Sequence, residues 1–136
     1  MPEECQSLLP DNTLLIRGIR LREINQQTRK IKKAAFIPRR NGQDDDGLSA
    51  SQPAGDSRDR LMVRLSNAEG LFCKFQAGLV RAIEEGEIRL DVCPYPTEKD
   101  PYHALIKGVP TSRTQAALAT RLADRLAAIA SEYIPP

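Results

Sequence analysis

The chain has 136 residues, 40% of them hydrophobic and 28% charged, with a formal net charge of +2. That length fits one domain able to bury a core without disulfide or metal support, and the balance excludes wholesale disorder while favouring neither an enzyme nor a binding module. No apolar run approaches the roughly 20 residues of a membrane span, and Met1-Pro-Glu-Glu-Cys5 lacks the basic start and apolar segment of a secretory signal, so a cytoplasmic protein without a membrane partner is expected.

Pro10-Asp-Asn is a turn signal ahead of the first predicted strand, Leu14 to Ile19. From Leu21 to Lys33 the residues are polar or basic, with apolar positions too sparse for a helical stripe, and the segment reads as a short helix or loop. Ala34 to Ile37 is a brief apolar patch. The next stretch, 38–47, combines breakers with charge and is expected to be an exposed, mobile loop with Asp44-Asp-Asp46 at its solvated tip. Gly47 to Ser51 returns the chain to the body, and 52–59 is a second mobile connection. In Leu61-Met-Val-Arg-Leu65 every second residue is apolar, which predicts a half-buried strand. Leu71 to Phe75 reads as another, with a helix from Ala68 to Glu85 as the alternative.

Glu87 to Cys93 alternates most cleanly, Ile88, Leu90 and Val92 facing one way and Arg89 and Asp91 the other. Pro94, Pro96 and Pro101 then interrupt regular structure until an extended segment resumes at Tyr102 to Lys107. Ser112 and Gln115 have capping-box spacing ahead of an alanine- and leucine-rich helix predicted to run to about Tyr133. Leu118, Leu122, Leu126, Ile129 and Tyr133 would form its apolar stripe. Strands followed by a terminal helix predict one α+β domain, a mainly antiparallel, twisted sheet with the C-terminal helix packed on one face.

Cys5, Cys73 and Cys93 are odd in number and widely spaced, which points to free thiols. No metal is expected, since ligand spacings are missing and His103 is the only histidine. Cofactors have no support either, because the phosphate-loop and dinucleotide-binding glycine patterns are absent. Nine cations between positions 17 and 40, among them Arg17, Arg20, Arg39 and Arg40, face one acid, Glu23, for a local net charge of about +8. Such a patch suits a phosphate-containing ligand, nucleic acid or an acidic protein partner, although few aromatics are present for base stacking. His103 is read as a structural or ligand-orienting group, or as an acid/base if the fold brings it Ser49 or Cys93 together with Asp91 or Asp100.

Taken in order, Pro10-Asp-Asn-Thr-Leu-Leu-Ile-Arg17, Ala35-Phe36, Gly47-Leu-Ser-Ala50 and Pro94-Tyr-Pro-Thr-Glu-Lys-Asp-Pro-Tyr-His-Ala-Leu-Ile-Lys-Gly108 carry a resemblance. The chain resembles a group of small uncharacterised bacterial proteins with motifs of the form PDD-x-LL-x-R, AF … GLSV and DP-x-P-x-NPAHA-x-I-x-G. Ala50 stands where that group has a β-branched residue, and Tyr102 replaces the small residue before His103. The motif order is also loosely similar to that of ADP-ribosyltransferases, in which an early strand arginine and a later serine help hold NAD. Arg17 and Ser49 are the matching positions, while Glu84, Glu85 and Glu87 offer no assignable catalytic glutamate.

The leading expectation is therefore a binding or accessory module whose recognition surface includes Arg17, Arg20, Ser49 and Tyr102. Its rival is an enzyme acting on a nucleotide or nucleic acid with His103 as the acid/base. The two converge on one geometric requirement, that Arg17, Ser49 and His103 line a common pocket.

Overall fold

The computed structural model of the protein describes residues 9–39, 44 and 47–136. Eight strands occur among them: β1 (Leu14–Ile19), β2 (Leu48–Ser51), β3 (Leu71–Gln76), β4 (Glu84–Glu85), β5 (Ile88–Arg89), β6 (Asp91–Pro94), β7 (His103–Lys107) and β8 (Ser131–Tyr133). The helices are α1 (Arg58–Arg64), α2 (Ala77–Arg81) and α3 (Ala116–Ile129). Six strands make an antiparallel sheet in the order β6-β7-β2-β1-β3-β8, and β4 and β5 pair separately as a small hairpin. The α+β class with a C-terminal helix on an antiparallel sheet is thus observed.

Side chains alternate across a strand, so the sheet sorts its residues into two faces. Leu15, Ile19, Ala50, Cys73, Phe75, Ala104 and Ile106 belong to the larger core, which Phe36 and the α3 residues Leu122, Ala123 and Leu126 complete. Phe36 meets Phe75 edge to face at 5.6 Å between ring centroids. Ile16 and Phe72 point the other way and pack under Leu61 of α1. Each large side chain so buried contributes about 1.5 to 3 kcal/mol. Among the described residues the helix on the second face is this seven-residue one, and that leaves room beside it for a cleft.

Four local expectations are corrected. Residues 61–65 are not a strand: α1 begins after Ser57, whose Oγ accepts from the Arg60 N–H, and Val63 is 71% exposed. The terminal helix stops at Ile129 rather than near Tyr133, because Ala130 turns extended and Ser131–Tyr133 joins the sheet beside β3. Its buried residues are Ala119, Leu122, Ala123 and Leu126, with Leu118 and Ile129 only partly covered. Nor does the capping box form, since Ser112 Oγ donates to Gln115 Oε1 and makes no backbone cap. The alternation in 87–93 is divided, Ile88 and Arg89 pairing in the hairpin while Asp91 onward enters the main sheet.

The thiol expectation also changes. Cys93 is disulfide-bonded, its partner lying outside the described residues, while Cys73 is free and buried. Burial pushes the Cys73 thiol up to about 12, so it stays protonated and inert at neutral pH. No helix among the described residues is long and apolar enough to cross a membrane.

Candidate functional site

A cleft of about 730 Å³ opens on the second sheet face. Strand alternation places Gly18, Ser49 and His103 on this side, and the residues Arg64 to Asn67 at the end of α1 and Thr97, Lys99 and Asp100 from the proline-rich loop form the walls. A Cβ on Gly18 would lie 2.9 Å from Asn67 Nδ2, so a side chain there would have to displace the Asn67 amide that closes the α1 end onto β1. Arg17, Arg20, Ser49 and His103 all line the cleft. Tyr102 does not.

Two arginines fix the architecture. Arg17 is 1% exposed and forms an ion pair with Asp44, Nη1 donating to Oδ1 at 3.3 Å and Nη2 to Oδ2 at 3.1 Å. Its Nε donates to the Ala35 carbonyl at 2.7 Å and Nη1 also to the Ser49 carbonyl at 2.8 Å. Asp44 in turn accepts from the backbone N–H groups of Arg39 and Ser49. Burial pushes the Asp44 carboxyl up, but the Arg17 charge and these hydrogen bonds outweigh it and hold the group below the usual carboxylate range. Asp44 is itself 1% exposed, which corrects the solvated loop tip; Asp45 and Asp46 lie outside the described residues. Arg17 accordingly shapes the cleft wall and has no open fork for NAD or another ligand.

Arg64 is the second clamp, and sequence reasoning gave it no role. Its Nε donates to Asp56 at 3.0 Å, Nη1 to Ser51 Oγ at 2.6 Å and Asp100 at 2.7 Å, and Nη2 to the carbonyls of Gln52 and Pro53. All five N–H groups of the guanidinium are engaged. Tyr102 lies over the same guanidinium at 5.2 Å from the ring centroid, a cation–π contact that ties the proline-rich loop to α1. One side chain thus holds together the 52–56 connection, β2 and the segment before His103. The reading of 61–65 as a strand hid this position.

Three cations of the basic run are held in ion pairs. Arg17 pairs with Asp44, Arg29 with Glu132 and Arg39 with Glu23, and Arg40 lies outside the described residues. Arg39 lines the cleft with Nη2 on Glu23 Oε1 and the Gly18 carbonyl, both at 3.1 Å, while its Nε is buried with no hydrogen-bond partner among the described residues. Burial and the neighbouring Arg17 charge lower its pKa from the ordinary arginine value. Arg20 and Lys99, by contrast, line the cleft, are exposed and make no ion pair among the described residues; Lys99 Nζ donates to Ser66 Oγ at 2.8 Å. Lys99 was not singled out by its sequence context, where it is balanced by Glu98 and Asp100.

His103 is half-buried, and its Nδ1 lies 2.9 Å from the Tyr95 carbonyl. A carbonyl only accepts, so Nδ1 carries the proton and Nε2 is the nitrogen left for a ligand. The Tyr95 ring packs edge-on to the imidazole at 6.1 Å. None of the proposed nucleophile and carboxylate partners makes a triad with it. Cys93 is in a disulfide, Asp91 accepts from Arg81, and Asp100 accepts from Arg64 and the Tyr102 N–H. Ser51, not Ser49, is the β2 residue in register with His103, and its hydroxyl is held by Arg64. No group of three potential metal ligands gathers among the described residues.

No family model, curated protein or solved structure matches this chain.

Proposed function

We propose that the protein is a small binding module whose cleft captures an oxyanion group, phosphate or carboxylate, of its ligand or partner. Supporting this reading is the contrast between three cleft arginines already neutralised by buried or half-buried carboxylates and two cations, Arg20 and Lys99, that have no such partner among the described residues. The neutralised set builds a rigid polar wall and the remaining pair supplies attraction. A volume near 730 Å³ is in the range that admits a small organic anion. Calorimetric titration with phosphorylated and carboxylated compounds at low salt is the test. Arg20→Ala and Lys99→Ala should each weaken binding about tenfold, the size expected for a hydrogen bond to a charged group, without moving the thermal midpoint. Affinity should also fall as salt rises. Single variants within twofold of the parent would remove the reading.

Chemistry on a nucleotide is the second reading, favoured by one observation, the fixed tautomer of His103 beside the cationic wall. It requires turnover that His103→Gln abolishes while the fold and ligand affinity persist. The disulfide at Cys93 argues for an oxidising surrounding over the reducing cytoplasm expected from the sequence.

A further inference from the structure

We infer that His103 makes anion capture proton-linked: the ligand oxygen that meets Nε2 shares a single proton with it, supplied by the ring or by the ligand. The inference rests on the binding reading above and assigns the specificity of that same cleft. Since Nδ1 donates to the Tyr95 carbonyl, neutral His103 presents a lone pair at Nε2 and repels a fully deprotonated oxyanion. Protonated His103 presents a second N–H and a positive charge. A ligand with no proton of its own, such as sulfate, is therefore bound together with a proton on Nε2. A phosphate that still carries a hydroxyl brings its own and donates to Nε2.

The surroundings leave this to His103 alone. From the strand on one side come Pro94 and Tyr95, whose carbonyl is the Nδ1 partner, and from the other Ser51, held by Arg64. Asp100 and Arg64 face the same space but are paired with each other at 2.7 Å, and Lys99, on the same wall, donates to Ser66 Oγ. No carboxylate contacts the ring among the described residues, so nothing but the incoming anion would stabilise the imidazolium.

The chain has one histidine, so its imidazole signals are unique in a proton NMR spectrum. They would be followed from about pH 5 to 8.5, the range of an imidazole titration, with and without sodium sulfate against sodium chloride of equal ionic strength. The His103 titration should move upward by at least half a unit in sulfate, and sulfate affinity should fall by up to about tenfold per pH unit above the free titration midpoint. Inorganic phosphate should show a flatter dependence through the region where it retains a proton. In His103→Gln, whose side-chain amide donates without titrating, sulfate affinity should be independent of pH. Sulfate binding that shifts Arg20 and Lys99 resonances without moving the His103 titration would overturn the proton link and leave the binding reading intact. If neither anion binds at low salt, both fall together.

Discussion

Asp44→Asn is expected to destabilise the fold by about 3 to 5 kcal/mol, the cost of leaving one charge of a buried pair without its partner. Arg17 would then keep a buried guanidinium facing an amide, in a place where both side chains are at most 1% exposed. The double replacement Arg17→Met with Asp44→Leu should recover part of the loss, because two apolar groups remove the charge problem. It should not recover all of it, since the Arg39 and Ser49 N–H groups also depend on Asp44 and an unsatisfied buried donor costs about 1 to 3 kcal/mol. Urea unfolding monitored by circular dichroism gives each value; a single-variant loss under about 1 kcal/mol would show the pair to be incidental. The same carboxylate predicts an acid limb. Its folded pKa lies below its unfolded one, so its contribution is complete above the unfolded carboxylate pKa and disappears as pH falls through the folded value. Asp44→Asn should flatten that part of the stability curve.

Arg64→Ala should cost a similar amount, about 3 to 5 kcal/mol, by stranding Asp100, which is 4% exposed. Its second effect is local. Gln52, Pro53, Asp56 and Ser51 on one side and Asp100 and Tyr102 on the other are tied by this guanidinium, with one backbone bond, Gln52 N–H to the Tyr102 carbonyl, beside it, so both segments should loosen and the cleft lose its wall. Amide hydrogen exchange should rise at Gln52 and Tyr102, and anion binding should be lost even in conditions where the variant remains folded. Arg64→Lys retains the charge without the planar fork and should rescue stability better than binding. Equal rescue of both would mean that charge, not geometry, is what the cleft needs.

Much of the fold is legible in the residues themselves. β1 and β7 follow from apolar runs bounded by turn formers, and α3 from its leucine and alanine spacing. The misses have local causes. In Leu61-Met-Val-Arg-Leu65 a period of two arises by coincidence in a single turn and a half of helix, where only Leu61 is fully buried. The Ser57 cap was the signal that would have distinguished the two. At the other end, Tyr133 continues a helical spacing but lies on a strand, because pairing with Phe72 satisfies backbone groups that a longer helix would have left at its end.

The site divides along the same line. Composition and spacing bring forward Arg17, Arg20, Ser49 and His103, and all four line one cleft; strand alternation and antiparallel register put Ser49 and His103 on its face, while Arg17 and Arg20 reach it from β1 and the residue after it. Which cations are free is a different kind of property. Arg17 and Asp44 are 27 residues apart and Arg64 and Asp100 are 36 apart, and a basic residue looks the same in sequence whether its partner is a buried carboxylate or water. The sequence by itself determined the α+β layers and brought forward four residues of the cleft. Only the tertiary structure decided that Arg17 and Arg64 are clamps while Arg20 and Lys99 make no ion pair among the described residues, since Coulomb attraction and desolvation depend on distance and burial, which chain order does not specify.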